Sequence, residues 1–263
     1  MRPGRPVPEP RGKPHARVSP CQDDTCFGTR QRKAEKITRR DGRSANQIRP
    51  LAVEQGILNR ADGSARFVQG NTSVLAAVYG PAPAKSARME KADRATVDVS
   101  FKPESGMASA ADAEREALLR RSLEEVVLRS RYPRSVVSVV VQVIVDDGAI
   151  LSAALNAATM ALLNAGVEMT SLALSMTCCI TAGAGRSVIL DPSKGEESEA
   201  AATAVIATLA VDGGVLSCRA VGAMSREEYF ACCEAASLGT TAVRSFVRLS
   251  AEQKVHREAE TFR

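Results

Sequence analysis

"VVVQVIVDDGAILSAALNAATMALLNAG", Val139 to Gly166, decides the reading of this chain. A β-branched run stops at Asp147-Gly148 and becomes a long apolar helix ending at Gly166, so the fold contains a strand-turn-helix unit. Such a junction suits an anion, because a helix N-terminus offers unpaired N–H groups and the positive end of the helix dipole. The residues placed there, Ala149, Ile150, Leu151 and Ser152, offer little else: a phosphate site calls for Gly, Thr or a cation. The helix over 150–165 is apolar on nearly every side, so it must be enclosed by other elements.

Working outward, 263 residues suit one large domain, or one domain with a tail. Hydrophobic residues make up 44% but aromatics only 3%, with no Trp, so the core must be closely packed Ala, Val, Leu and Ile. The nearly uncharged stretch Gly148–Arg186 is interrupted by Asn156, Asn164, Gly166 and Glu168, which reads as buried helix and strand and not as a membrane span.

The net charge of +5 is unevenly placed. Residues 1–43 hold twelve Lys/Arg against five Asp/Glu, so the rest of the chain carries a net charge of −2. A generally basic nucleic-acid surface is therefore not expected on the body, and any RNA contact there must be local. The Pro/Arg-rich residues 1–40 read as a disordered basic tail, either a solvated extension or a non-specific RNA-binding arm. The tail lacks an apolar signal region, and Asp23, Asp24 and Glu35 argue against a transit peptide. The seven cysteines, at 21, 26, 178, 179, 218, 232 and 233, form no CxxC pair and read as reduced thiols of an intracellular protein. His15 and His256 are the only histidines, both near the termini, so histidine-based catalysis is not expected.

Before the junction, "LAVEQGILN", "SARFVQG", "TSVLAAVYG" and "ATVDVSF" read as strands, with Asp62-Gly63 as a hairpin signal and 81–94 as a surface loop. Ser109 and Asp112 form a capping box that opens an amphipathic helix running to about Ser130. Beyond the junction, "LALSMTCCIT" with "RSVIL", and "TAVIATLAV" with "VLSCRAVG" across Asp212-Gly213-Gly214, read as hairpins. Ser225 and Glu228 cap a last helix to about Leu249 or beyond, leaving 251–263 as its end or a flexible tail. This order predicts an α/β (α+β) fold of mixed sheets with βαβ crossovers.

Several segments together resemble the ribonuclease PH family: "RRDGRSANQIRP" (Arg39–Pro50), "DGSARFVQGNTSVLAAVYGP" (Asp62–Pro81), "LLRRSLEEVV" (Leu118–Val127), the junction itself, and "VILDPSKGEESEAA" (Val188–Ala201). "MSREEYFACCEAA" near the end and the junction helix resemble most the RNase PH-like ring subunits of the eukaryotic RNA exosome. The resemblance covers residues 41–250 and implies a ribonuclease PH-like fold. It also implies a ring of RNase PH-like partner subunits capped by RNA-binding proteins, with RNA threading its channel. Nucleus, nucleolus and cytoplasm, and roles in rRNA maturation and mRNA turnover, follow from the resemblance alone.

Family members that cleave RNA by phosphorolysis hold phosphate with Gly-Thr-Arg-Thr, where this chain has Ala149, Ile150, Leu151 and Ser152. Leu151 stands at the arginine position and cannot donate a hydrogen bond. Asp191 and Glu197 match the family's two carboxylates, leaving two readings: a weak magnesium site or a polar, solvated turn. The RNA-gripping arginines fall at Ala111 and Ala117. Nearby, Arg115, Arg120, Arg121 and Arg134 are the candidate RNA contacts, Arg115 foremost because it lies toward the apolar side of its helix and needs a partner. Two functions follow. One is a non-catalytic structural ring subunit without cofactor; the other is a phosphorolytic or metal-dependent 3′-5′ exonuclease working as a homo-oligomer, a homodimer being the simplest.

Overall fold

A computed structural model describes Arg39 and residues 41–261, apart from 85, 87, 88, 108 and 184. The basic tail expected over residues 1–40 thus lies, save Arg39, outside the described residues. The chain begins with strands β1 (Leu51–Gln55), β2 (Gly63–Gln69), β3 (Thr72–Pro83) and β4 (Thr96–Lys102). Helix α1 (Ala110–Val126) leads through a 3-10 turn into β5 (Ser135–Val145), and α2 (Ile150–Ala165) follows. The second half runs β6 (Ala173–Thr181), β7 (Val188–Leu190), short α3 (Lys194–Glu199), β8 (Ala200–Leu209), β9 (Val215–Gly222) and long α4 (Arg226–Thr261).

Two sheets result, the first mixed and the second antiparallel. One sheet has the order β1-β2-β3-β5-β4 and the other β7-β6-β8-β9. All described pairs are antiparallel except β4 with β5, the parallel pair joined through α1. That unit is the expected βαβ crossover.

Helix α2 lies between the sheets, against β2 and β3 on one side and β6 and β8 on the other. Every residue from Ser152 to Leu162 is buried, so the helix has no solvent face over three turns. Its alanines let the sheets approach closely. At Gly63 a Cβ would sit 2.4 Å from the Ala161 carbonyl oxygen and 2.5 Å from the Ala165 nitrogen. The expected Asp62-Gly63 turn is corrected on this point: Gly63 is the first residue of β2, required by helix contact. The two-residue turn is instead Gly70-Asn71, between paired Gln69 and Thr72.

The few polar residues of α2 serve β6. Strand β7 pairs only with Cys178–Ile180, leaving the first half of that edge of β6 without a strand. Asn156 covers it, donating to the Ser175 carbonyl at 3.1 Å and accepting from the Ser175 N–H at 2.9 Å. One turn along, the Thr159 hydroxyl donates to the Ala173 carbonyl at 2.8 Å. These contacts satisfy backbone groups that burial would otherwise leave unpaired.

Other expectations shift at their boundaries. β3 continues to Pro83, shortening the expected loop, and α1 stops at Val126 because Val127 bridges to Met169. Leu119, Leu123, Val126 and Val127 form the buried face, with Leu118 half-buried beside it, while α4 runs to Thr261. The five described cysteines are free thiols, with Cys178, Cys179 and Cys232 buried and Cys218 and Cys233 half-buried.

Replacing Asn156 with Ala should cost about 2–4 kcal/mol, because both backbone groups of buried Ser175 lose their partner. Urea unfolding of the two proteins measures the difference.

Candidate functional site

The site is built where the strand-turn-helix junction meets the segment after β7. Gly148 bends the chain with φ +85, and a Cβ there would lie 2.6 Å from the Lys194 nitrogen. The Lys194 N–H donates to the Asp147 carbonyl at 3.2 Å, joining the two segments. Ala149, the N-cap of α2, is left-handed and has no side-chain oxygen with which to cap the helix.

The junction amides nonetheless have partners. Asp147 N–H donates to the Thr72 hydroxyl at 3.3 Å, Gly148 N–H to the Asp146 carboxylate at 3.1 Å, and Ala149 N–H to Glu197 Oε1 at 2.8 Å. The Glu197 carboxylate thus stands where the dipole of α2 favours a negative group. Burial, the largest effect, pushes its pKa up, offset by the Ala149 N–H and by Arg49 and Arg115. The Ser152 hydroxyl is buried and turned inward, donating to the Ala149 carbonyl at 2.8 Å and accepting from Thr177 at 3.0 Å. Leu151 is half-buried and, with Leu118, Leu119, Leu155, Val205 and Arg219, lines a small cavity between α1, α2, β8 and β9.

Asp191 is fully buried and left-handed at φ 53. Arg49 holds it: Nη2 to Oδ1 at 2.7 Å, Nε to Oδ1 at 3.0 Å, and the Arg49 backbone N–H to Oδ2 at 2.7 Å. The same guanidinium donates to the Asp147 carbonyl at 2.8 Å and, more weakly, to the Gly148 carbonyl at 3.4 Å. Arg39 grips the next residues, giving two bonds to Glu196 at 2.9 and 2.7 Å and reaching the Leu190 and Asp191 carbonyls at 2.9 and 2.8 Å. Arg43 donates to the Asp191 carbonyl at 3.3 Å.

The carboxylates therefore do not fit a magnesium ion. Both Asp191 oxygens already accept from a cation that would repel one, and Glu197 faces a backbone N–H. Among the described residues no cluster of three or more His, Cys, Asp or Glu could hold a metal. The solvated turn weighed for this segment is also corrected: residues 194–199 form α3, opened by a Ser193–Glu196 capping box, and Asp191 is inaccessible.

The candidate RNA-contact arginines do not converge. Arg115 donates to Asp112 at 2.6 Å, the acid that caps α1, and Arg120 to Glu116 at 3.0 Å, with Asp98 at 3.8 Å. Arg121 is exposed on the outer face of α1, and Arg134 is exposed near Glu90 on the loop before β5. What the sequence reading missed is the trio Arg39, Arg43 and Arg49. Their signal was present: the short motif Arg39–Pro50 holds four arginines and comes with a matching Leu-Asp segment.

Arg39 holds the Glu196 carboxyl down at about 2, against an ordinary 4.5. A depressed folded-state pKa adds stability that is complete above pH 4.5 and lost as pH falls toward 2. Discounted for solvent screening at this partly exposed pair, the contribution is on the order of 1–2 kcal/mol at neutral pH. Unfolding followed from pH 6 down to 2 should show that loss in the native protein, and Glu196→Gln should remove most of this slope.

Known proteins place this geometry. The 3′ exoribonuclease family (RNase PH), domain 1, matches residues 47–168. An Arabidopsis thaliana protein named exosome complex exonuclease RRP46 homolog is 37% identical over 235 residues, 83% of this chain and 97% of its own. The Oryza sativa subsp. japonica protein of that name is 33% identical over 82% of this chain and 97% of its own. The crystal structure of rice Rrp46 superposes with TM-score 0.76 at 36% identity, covering 81% of this chain and all of that one. A chain of an archaeal exosome core, 22% identical, shares the fold with TM-score 0.68 over 79% of this chain and 90% of its own. With its βαβ unit, its enclosed helix and its Asp-Gly junction locked to the Leu-Asp segment, the chain belongs to the 3′ exoribonuclease (RNase PH) family.

Proposed function

We propose that this protein is a non-catalytic structural subunit of an RNA exosome ring, packing against other RNase PH-like subunits and supporting 3′-5′ RNA processing. One observation carries the reading. At the junction where a phosphorolytic enzyme holds phosphate, the Ala149 N–H is taken by the Glu197 carboxylate and the cation position is Leu151. A phosphate dianion placed there would meet an acidic side chain and an apolar one, with no arginine to offset its desolvation.

The surroundings support the same reading. Two of the three α1 arginines, Arg115 and Arg120, are matched with Asp112, Glu116 and Asp98, which lowers the positive potential beside the junction and leaves Arg121 on the outer face. The relatives' names, and a solved archaeal exosome with RNA bound to its active site that shares this fold at 22% identity, motivate the ring setting. In that setting RNA would pass along the channel under RNA-binding cap proteins, in nucleus, nucleolus and cytoplasm. Among the described residues no helix is long and apolar enough to cross a membrane.

The purified chain, given single-stranded RNA, inorganic phosphate and magnesium, should release no nucleoside diphosphate, while the tagged chain in its own cells should co-purify with RNase PH-like subunits. Phosphate-dependent release that Glu197→Gln abolishes would overturn the proposal.

A further inference from the structure

The five described cysteines divide by position. Cys178, Cys179 and Cys232 are buried, and burial pushes their thiols up, Cys179 to about 12 and Cys232 to about 11. Cys218 and Cys233 are half-buried, within reach of solvent.

Strand register brings Cys218 beneath α4. Met176 of β6, Ile206 of β8 and Cys218 of β9 form one row across the second sheet. The neighbouring Val205, Ala207, Ser217 and Arg219 line the cavity toward α1 and α2, so side-chain alternation turns the row to the opposite face. Helix α4 covers that face, packed on β6 and β8. It starts near Cys178, whose thiol donates to the Cys232 carbonyl at 3.6 Å, and passes Met176 beside Gly239. It then meets Thr208, whose hydroxyl donates to Thr240 at 3.0 Å. Cys233 precedes Thr240 by two turns, so it shares that side of the helix, about 10 Å back along the axis. Two residues of strand span ~7 Å, so going back from Thr208 sets Cys233 beside the Ile206–Cys218 end of the row.

Tyr229, one turn before Cys233, closes the group. Its hydroxyl shares hydrogen bonds with both the Cys218 and the Cys233 sulfur, which pushes it up to about 12. The phenol therefore stays protonated at neutral pH. Burial raises Cys218 too, offset by this hydroxyl.

We propose that Cys218 and Cys233 form a modification site at which a hydroperoxide converts the two thiols into a disulfide joining β9 to α4. In the first step one sulfur attacks the peroxide. An S–O bond forms as the O–O bond breaks, and the departing oxygen takes up the thiol proton and leaves as water or an alcohol. In the second step the other sulfur attacks the sulfenic acid, S–S forms as S–O breaks, and water leaves with the second proton. The two thiols give up two electrons in all, and the hydroperoxide accepts them. Because β9 is the edge strand of its sheet, the bond pins a strand that pairs on one side only. It also restricts the unfolded chain, so the oxidised form is the more stable. This site does not depend on the ring-subunit reading.

Hydrogen peroxide treatment of the full native chain, followed by trypsin digestion without reductant and mass spectrometry, tests the assignment. A disulfide should join the peptide of residues 195–219 to that of residues 227–244 in most of the protein, and dithiothreitol should release it. Fragmentation should place the link on Cys233, not on adjacent Cys232, a reading that needs no variant. Cys232→Ala should keep the link, whereas Cys218→Ser and Cys233→Ser should each abolish it. The oxidised native chain should unfold at a higher temperature than the reduced chain, a shift that Cys218→Ser should lack. No link between these peptides, a link placed on Cys232, or one that survives Cys233→Ser overturns the proposal.

Discussion

The ion pair between Arg49 and Asp191 is the constraint on which the site depends. Asp191 has no exposed surface and sits in a left-handed conformation, which a non-glycine residue holds only when its surroundings demand it. Arg49 supplies that demand through both side chain and backbone, and with its remaining donors it reaches the carbonyls of Asp147 and Gly148. One guanidinium thus ties the segment after β7 to the turn before α2. A buried charge of this kind is stable only when its partner stays, since removing one member of such a pair costs about 3–5 kcal/mol.

That lock would let the family's frame persist without its chemistry, as the proposed non-catalytic role requires. The positions of the Asp-Gly turn, the enclosed helix and the Leu-Asp segment are set by packing: Gly148 against Lys194, Gly63 against α2, and Asn156 against β6. None of these contacts needs phosphate or metal. On the proposed reading, packing alone keeps the cradle in place although Leu151 stands at its cation position. The acids follow the same pattern, Asp191 spent on Arg49, Glu196 on Arg39 and Glu197 on a backbone amide. Helix α3 consequently carries neighbouring carboxyls with opposite behaviour, Glu196 held far below its ordinary pKa by Arg39 and Glu197 pushed up by burial.

Much of this fold was legible in the sequence because its signals are local. The β-branched run into α2, the capping boxes at Ser109 and Ser225, and the Asp212-Gly213-Gly214 turn each declare themselves within a few residues. Asp62-Gly63 misled because a glycine demanded by distant Ala161 and Ala165 looks, locally, like a turn glycine. The site was legible as a frame and not as a network. That Leu151 replaces a cation can be read by position. That Glu197 would cap Ala149, 48 residues away, or that Arg49 would consume Asp191, 142 residues away, depends on tertiary contacts with no local trace. The α3 helix fell between these cases, since its glutamates have helix propensity but its start is fixed by Ser193 and by Arg39.

The central claim is that the junction's anion site is filled by the protein's own Glu197. Titration of the pure protein with inorganic phosphate, followed by the amide signal of 15N-labelled Ala149, tests it most directly. The account predicts no saturable change at Ala149 up to tens of millimolar phosphate at neutral pH. A saturable shift of that amide at millimolar phosphate, with Glu197 displaced, would contradict it.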